Sequence, residues 1–413
     1  MEATSSKGTG SDVVVDVTST LCDRKCLHWS EPEATSSENA RGDIWMAILE
    51  PRSKVRMFNS RRISRVSKSL KVTMRFPVLF YLHTHLFRFA HLVLKMTATN
   101  ETQHNVKEFL LAGIPGLQTH QNLLFIALLL VYLAVMAGNL LILYLVILDQ
   151  RLHTPMYFFL CHLSVLDILI TTTILPKMFA VILLEDRIIS FSWCFVQMYL
   201  VLAIGCTENV ILIVMAYDRY IAIMKPLHYH LIINGKLCVL LAVGAWVLGY
   251  LAPFVPLINA LSLTYCGPNI VAYCYCDYPA VVSLACADVS DIISMAFINA
   301  MCIVNIPLLL ILFSYFRIIL NIYFTNTEDS KKAFSTCSSH LIVVLTYYFS
   351  LDLLYITVVI GNISADARVI IGVFIYLLTP LLNPIIYSLR NKQIKQAAEK
   401  YLDLPLRPIT FFH

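Results

Sequence analysis

Five ionisable positions stand inside long apolar stretches of the 413-residue chain: Asp167, Glu208, the adjacent Asp218 and Arg219, and Asp352. An ionisable group is costly in such surroundings, so each is a functional candidate by default. Asp167 and Glu208 are both acids. Brought close, two carboxylates repel unless they share a proton or a cation neutralises them, and their oxygens suit a hard cation. A general acid/base pair of a membrane enzyme is the third chemistry open to them, but no nucleophile or metal-ligand set accompanies the pair. Asp218 and Arg219 can neutralise each other where the third apolar stretch ends, and simple interfacial snorkelling would account for a lone pair of this kind. Tyr348, Asp352 and Tyr355 are spaced i, i+4, i+7 and share a helix face. A carboxylate between two aromatic faces could hold an ammonium group; the plainer alternative has Asp352 solvated or bonded to a neighbouring helix.

The elements that must position these groups follow from composition. The hydrophobic set is 58% of the chain and charged residues only 14%, with a mean hydropathy of +0.72. Soluble domains run near about 25% charged. The net charge of +5 is uneven: residues 1–95 carry 15 Lys+Arg against 9 Asp+Glu, and the remainder 16 against 17. The hydrophobic body is therefore almost neutral, and a nucleic-acid partner is not implied. Residues 1–95 are Ser-rich and then basic from Arg52 to Arg75, without an apolar period, and read as a disordered extension. No signal peptide is expected at the start of the chain, since no basic-then-apolar block with a small-residue cleavage site is visible there. The segment from Phe76 to Leu94 is interrupted by His83, His85, Arg88 and His91, and Met96 is the expected working initiator, with residues 1–95 an upstream gene-model addition.

Beyond a segment at 96–120, seven apolar stretches span roughly 121–147, 155–183, 192–222, 237–259, 289–320, 333–360 and 367–388. Each is long enough to cross a bilayer, and in lipid every backbone group must be bonded within its own segment, so all seven are helices. The expected fold is an all-α membrane protein: a seven-transmembrane helix bundle over 121–388, then a tail at 389–413. In that tail Ile394, Ala398 and Tyr401 share one face, as in a short amphipathic helix on a membrane surface. Alternate connections and the tail carry twelve Lys and Arg, including Arg151, Arg219, Lys225, Lys236 and Lys392; the opposite side from Met96 on has only Lys107, Lys177, Arg187 and Arg368. That bias places the C-terminus in the cytosol and the N-terminus outside. Two sequons, at Asn100 and Asn362, fall on the outer side. So do Cys194, Cys266, Cys274, Cys276 and Cys286, in a compartment where disulfides persist. A zinc site at Cys274 and Cys276 lacks further ligands at suitable spacing.

The motifs fall on these helices in a fixed order. They are Gly138-Asn139, Leu163-Ser164-Val165-Leu166-Asp167, Met215-Ala216-Tyr217-Asp218-Arg219-Tyr220, Trp246, and Asn383-Pro384-Ile385-Ile386-Tyr387. With them the chain resembles the rhodopsin-like G-protein-coupled receptors. More narrowly it resembles the odorant receptors, through Leu152-His153-Thr154-Pro155-Met156-Tyr157-Phe158-Phe159-Leu160, Ser314-Tyr315 and Lys332-Ala333-Phe334-Ser335-Thr336-Cys337-Ser338-Ser339-His340. The resemblance covers about residues 100–402.

It implies a multi-pass plasma-membrane receptor that binds a small odorant and activates a stimulatory heterotrimeric G protein, raising cAMP. No enzymatic activity is implied. Activation would swing the sixth helix outward, freeing Arg219 from Asp218, with Tyr220, Asn383, Pro384 and Tyr387 completing the moving parts and Lys331 and Lys332 at the rim. The implied ligand set is Val201, Leu202, Gly205, Cys206, Tyr348, Asp352, Tyr355 and Tyr376. No basic residue stands at Val359, which argues against an acid ligand. The implied disulfides are Cys194–Cys276 and Cys266–Cys286, leaving Cys274 over. An allosteric sodium ion at Asp167 and Glu208, near Asn139 and Asn383, is the only cofactor implied; a shared proton is the alternative. A receptor for a non-odorant ligand such as an amine competes within this class. A transporter competes outside it, though neither an internal repeat nor paired broken helices support one.

Overall fold

The computed structural model describes Thr84, residues 106–325, 328–359 and 365–402, with the backbone alone at 115, 117, 325, 328–337, 358–359, 365–366 and 389–390. The readings of residues 1–95, Asn100 and Asn362 lie outside the described residues, as do those of the Lys331, Lys332, Cys337 and Val359 side chains.

Seven long helices form the body: α1 (Gln121–Leu148), α2 (Pro155–Leu183), α3 (Phe191–Met224), α4 (Gly235–Leu251), α5 (Ser290–Thr325), α6 (Glu328–Val359) and α7 (Ala365–Arg390). An eighth, α8 (Lys392–Leu402), follows a one-residue break. Local chemistry sets several boundaries. Pro155 occupies the first turn of α2, where its missing N–H costs nothing. The Asn234 side chain caps α4 by accepting from the backbone N–H groups of Lys236 and Leu237. Pro253 interrupts the fourth span, which resumes as a short helix, Phe254–Leu261.

Among the described residues seven spans are long and apolar enough to cross a membrane, and α3 is the most buried while α5 is the least. α3 packs on α2, α4, α5 and α6 and is the centre of the bundle. α5 instead exposes Leu309, Leu310, Phe313 and Phe316, an apolar surface of the kind that faces a membrane or a protein partner. One contact locks α3 to α4: a Cβ on Gly249 would collide with the backbone and hydroxyl of Thr207.

At the end of the bundle where α3 begins, the fold adds a small sheet that the apolar pattern did not predict. Glu108–Leu111 (β1) pairs antiparallel with Ile188–Ser190 (β2) and parallel with Ile270–Val271 (β3). Phe109 on β1 stacks on Phe191 and meets Tyr265 edge-on, so the segment preceding α1 is tied to two later loops. At the opposite end α8 lies against α1 and α7, with Ile394, Ala397 and Ala398 buried and the Tyr401 hydroxyl donating to Leu148 O at 3.3 Å.

Candidate functional site: a ligand cavity and a coupled polar core

A cavity opens among α2, α3, α5, α6 and α7. Its lining includes Val201, Leu202, Gly205, Cys206, Glu208 and Asn209 from α3, Tyr347, Leu351 and Tyr355 from α6, and Tyr376, Thr379 and Pro380 from α7. Six of the eight expected ligand residues are therefore brought together: Val201, Leu202, Gly205, Cys206, Tyr355 and Tyr376. Tyr348 and Asp352 stand off the cavity. α6 is rotated so that Tyr347, Leu351 and Tyr355, spaced i, i+4, i+8, form its inner stripe, and Tyr348 is buried elsewhere. Asp352 turns toward α5 and accepts from Asn305 Nδ2 at 3.3 Å. It is thus bonded to a neighbouring helix, and the ammonium site drawn around it loses its geometry.

The disulfide-bearing loop between α4 and α5 roofs this region. Cys194 bridges Cys276 and Cys266 bridges Cys286, with Cα separations of 5.4 and 5.6 Å. Gln197 straps the loop to α2 and α3: its Oε1 accepts from the Cys276 N–H and its Nε2 donates to Thr173 O, both at 2.9 Å. The loop residue Tyr275 meets the cavity residue Tyr376 edge-on at 5.8 Å, and the Tyr273 hydroxyl donates to Arg368 O at the start of α7. Cys274 remains a buried free thiol, its pKa pushed up to about 12 by burial. Burial also raises the Asp277 carboxyl, to about 6, against the opposing pull of Arg368.

Beneath the cavity lies the polar core. Pro384 has no N–H, so the carbonyl of Pro380, four residues back, loses its helical donor. Asn139 on α1 replaces it: its Nδ2 donates to Pro380 O at 3.1 Å. The neighbouring Gly138 permits this approach, since a Cβ there would come within 2.8 Å of Pro384 Cγ. Asn383 Nδ2 donates to both carboxylate oxygens of Asp167 at 3.0 Å. Glu208 is close enough to feel the Asp167 charge. Glu208 Oε1, Asn139 Oδ1 and Ser164 Oγ are buried oxygens without a hydrogen-bond partner among the described residues. Oxygen donors are the chemistry that a small hard cation such as sodium takes. Among the described residues no group of three or more His, Cys, Asp or Glu comes together.

At the far end of α3, Arg219 Nε donates to Asp218 Oδ2 at 3.0 Å and its Nη2 bonds the same oxygen. Asp218 is buried, and its other oxygen accepts from the Tyr229 hydroxyl at 2.6 Å. Tyr229 belongs to the connection after α3 and carried no sequence signal as a partner. Tyr220 is half-buried against the core. The Tyr387 hydroxyl, fully buried on α7, has no hydrogen-bond partner among the described residues, and the Tyr315 hydroxyl on α5 lies 2.7 Å from His340 Nδ1 on α6. An ion pair bonded by a tyrosine thus stands at the end of α3, α7 carries Pro380 and Pro384 within its length, and a cavity lies among α2, α3, α5, α6 and α7.

A family model settles the class, matching the olfactory receptors over residues 128–403. The chain belongs to the olfactory receptor family. It is 43% identical over 308 residues to human olfactory receptor 2AT4, covering 74% of this chain and 96% of that protein. Human olfactory receptor 6N1 is 43% identical over 298 residues, 72% of this chain and 95% of its own length. Human olfactory receptor 2D2 is 43% identical over 306 residues, 74% and 98%. The family is one of G-protein-coupled odorant receptors and not of enzymes, so this chain is a multi-pass plasma-membrane receptor with an odorant ligand and a G-protein partner.

Proposed function

We propose that this olfactory receptor binds a small, largely apolar odorant in the cavity bounded by α3, α5, α6 and α7. It answers by activating a stimulatory heterotrimeric G protein at the end that carries Arg219, which raises cAMP. That end and α8 face the cytosol, and the disulfide end faces outward. The observation that supports the reading most is the convergence of Val201, Leu202, Gly205, Cys206, Tyr355 and Tyr376 on one cavity, directly above the kinked segment where Asn139 holds Pro380. A ligand that packs against Tyr355 and Pro380 acts on α6 and α7 together. Ligand and G protein favour the same open arrangement, in which Arg219 leaves Asp218, and each therefore tightens the binding of the other. Sodium held between Asp167 and Glu208 would favour the closed arrangement by pinning α2 to α3.

The test is a cAMP assay in cells expressing the full chain, challenged with a panel of volatile compounds, with Arg219→Ala alongside at equal surface level. Agonist responses that Arg219→Ala abolishes support the reading. Agonist responses that persist in that variant would contradict it.

A further inference from the structure

The junction between α7 and α8 is held by a tyrosine from another helix. Tyr157 stands in the first turn of α2 and is buried. Its hydroxyl donates to Asn391 Oδ1 and to Gln393 Oε1, both at 2.9 Å. Asn391 is the single residue between α7 and α8. The same Oδ1 caps α8 by accepting from the backbone N–H groups of Gln393 and Ile394 at 3.0 and 3.3 Å. The Asn391 N–H donates to Tyr387 O at 3.1 Å, so this one residue ties together α2, the last turn of α7 and the start of α8. Arg219 is close enough to act on the Tyr157 hydroxyl electrostatically, which puts the tie near the Asp218–Arg219 pair. The fold does not need the hydroxyl for pairing. Without it Asn391 Oδ1 keeps two backbone donors and the exposed Gln393 meets water, so no buried acceptor is stranded. What the hydroxyl adds is position.

Resting on the reading of this end as the G-protein face, we infer that Tyr157 is a positioning residue of coupling: its bond to Asn391 holds the end of α7 and the start of α8 on α2 in the resting arrangement. α7 lines the cavity with Tyr376, Thr379 and Pro380 and ends beside Asn391, so a ligand that displaces α7 works against this bond. Breaking it is part of the work of activation, and weakening it favours the open arrangement.

The experiment is a double-mutant cycle in cells expressing the full chain, with basal cAMP at equal surface level as the readout and no ligand added. Tyr157→Phe removes the donor and keeps the ring. Asn391→Asp keeps the cap and offers the hydroxyl a charged, stronger acceptor. The expected result is a rise of about two- to tenfold in Tyr157→Phe and a fall below wild type in Asn391→Asp. That fall should vanish once Tyr157→Phe is present. A merely structural role would lower surface level and detergent melting temperature but leave the two basal effects additive. Unchanged or lowered basal cAMP in Tyr157→Phe overturns the inference, and so does an Asn391→Asp effect of equal size in both backgrounds. Should Tyr157→Phe fail to reach the surface, Asn391→Ser with Gln393→Leu keeps a capping oxygen on a shorter side chain and withdraws both acceptors; it must show the same rise, and its absence overturns the inference. Adding Arg219→Ala to Tyr157→Phe separates the two claims. A rise that Arg219→Ala removes supports both, whereas one that persists overturns the reading of the coupling end itself.

Discussion

Removing the Tyr229 hydroxyl should raise the receptor's activity in the absence of ligand. Asp218 Oδ1 accepts from that hydroxyl at 2.6 Å, while Asp218 Oδ2 holds Arg219. Asp218 is 1% exposed and Arg219 14%, so the cluster is largely out of water. A hydrogen bond to a charged group contributes about 1.5–3 kcal/mol, and the half-exposed setting of Tyr229 places this one at the lower end. Phe keeps the ring and its packing, so Tyr229→Phe isolates the hydroxyl. A loss of about 1.4 kcal/mol from the closed state is a factor of about ten in the equilibrium. A receptor open about 1% of the time would become open about 10% of the time. Basal cAMP at matched surface expression reads this directly, with Tyr229→Phe/Arg219→Ala as the control that removes the output. Unchanged or lowered basal cAMP in Tyr229→Phe would refute the reasoning that Tyr229 holds Asp218 in the resting arrangement.

Four further outcomes follow from particular contacts. Gly249→Val should sharply reduce surface expression and thermal stability in detergent, because its side chain would occupy the space of Thr207; Gly244→Ala, with nothing within 4 Å of the added Cβ, is the control expected to leave both unchanged. Asn139→Ala should destabilise the bundle by about 1–3 kcal/mol in a detergent melt, since it leaves Pro380 O without a donor. The raised pKa of Asp277, about 6, means the folded loop binds its proton more tightly than the unfolded chain. Stability contributed there is present below the ordinary carboxylate range and is lost as pH rises through about 6, so melts should fall between pH 4 and 7 and Asp277→Asn should flatten that slope. Cys274, buried and with its thiol pushed up to about 12, should resist maleimide in the folded receptor and react on unfolding.

The helices were legible because twenty-residue apolar runs have one solution in lipid, and the span over 155–183 coincides with α2. Pro253 within the expected run at 237–259 is where the fourth helix breaks. The sheet was not legible: four residues of β1 and two of β3 carry no usable alternation, and their partners lie in loops far along the chain. Within the site, residue types were easier to read than facing. Tyr348, Asp352 and Tyr355 do share a helix face by spacing, but which stripe of α6 turns inward depends on packing against α3 and α5. The structure selects Tyr347 and Leu351 in place of Tyr348 and Asp352. Asp218–Arg219 was visible as a pair of neighbours; Tyr229, eleven positions on from Asp218, became its partner only through the fold. Glu208 stood out as an intramembrane acid, but its place in the cavity lining did not.

The most direct measurement is a dose–response curve for an agonist of the wild-type receptor, repeated on Gly205→Val and Arg219→Ala at equal surface density. The account predicts that Gly205→Val shifts the curve to higher concentration by filling the cavity, and that Arg219→Ala removes the maximum response. A Gly205→Val curve that overlays the wild type would place the ligand elsewhere and contradict the account.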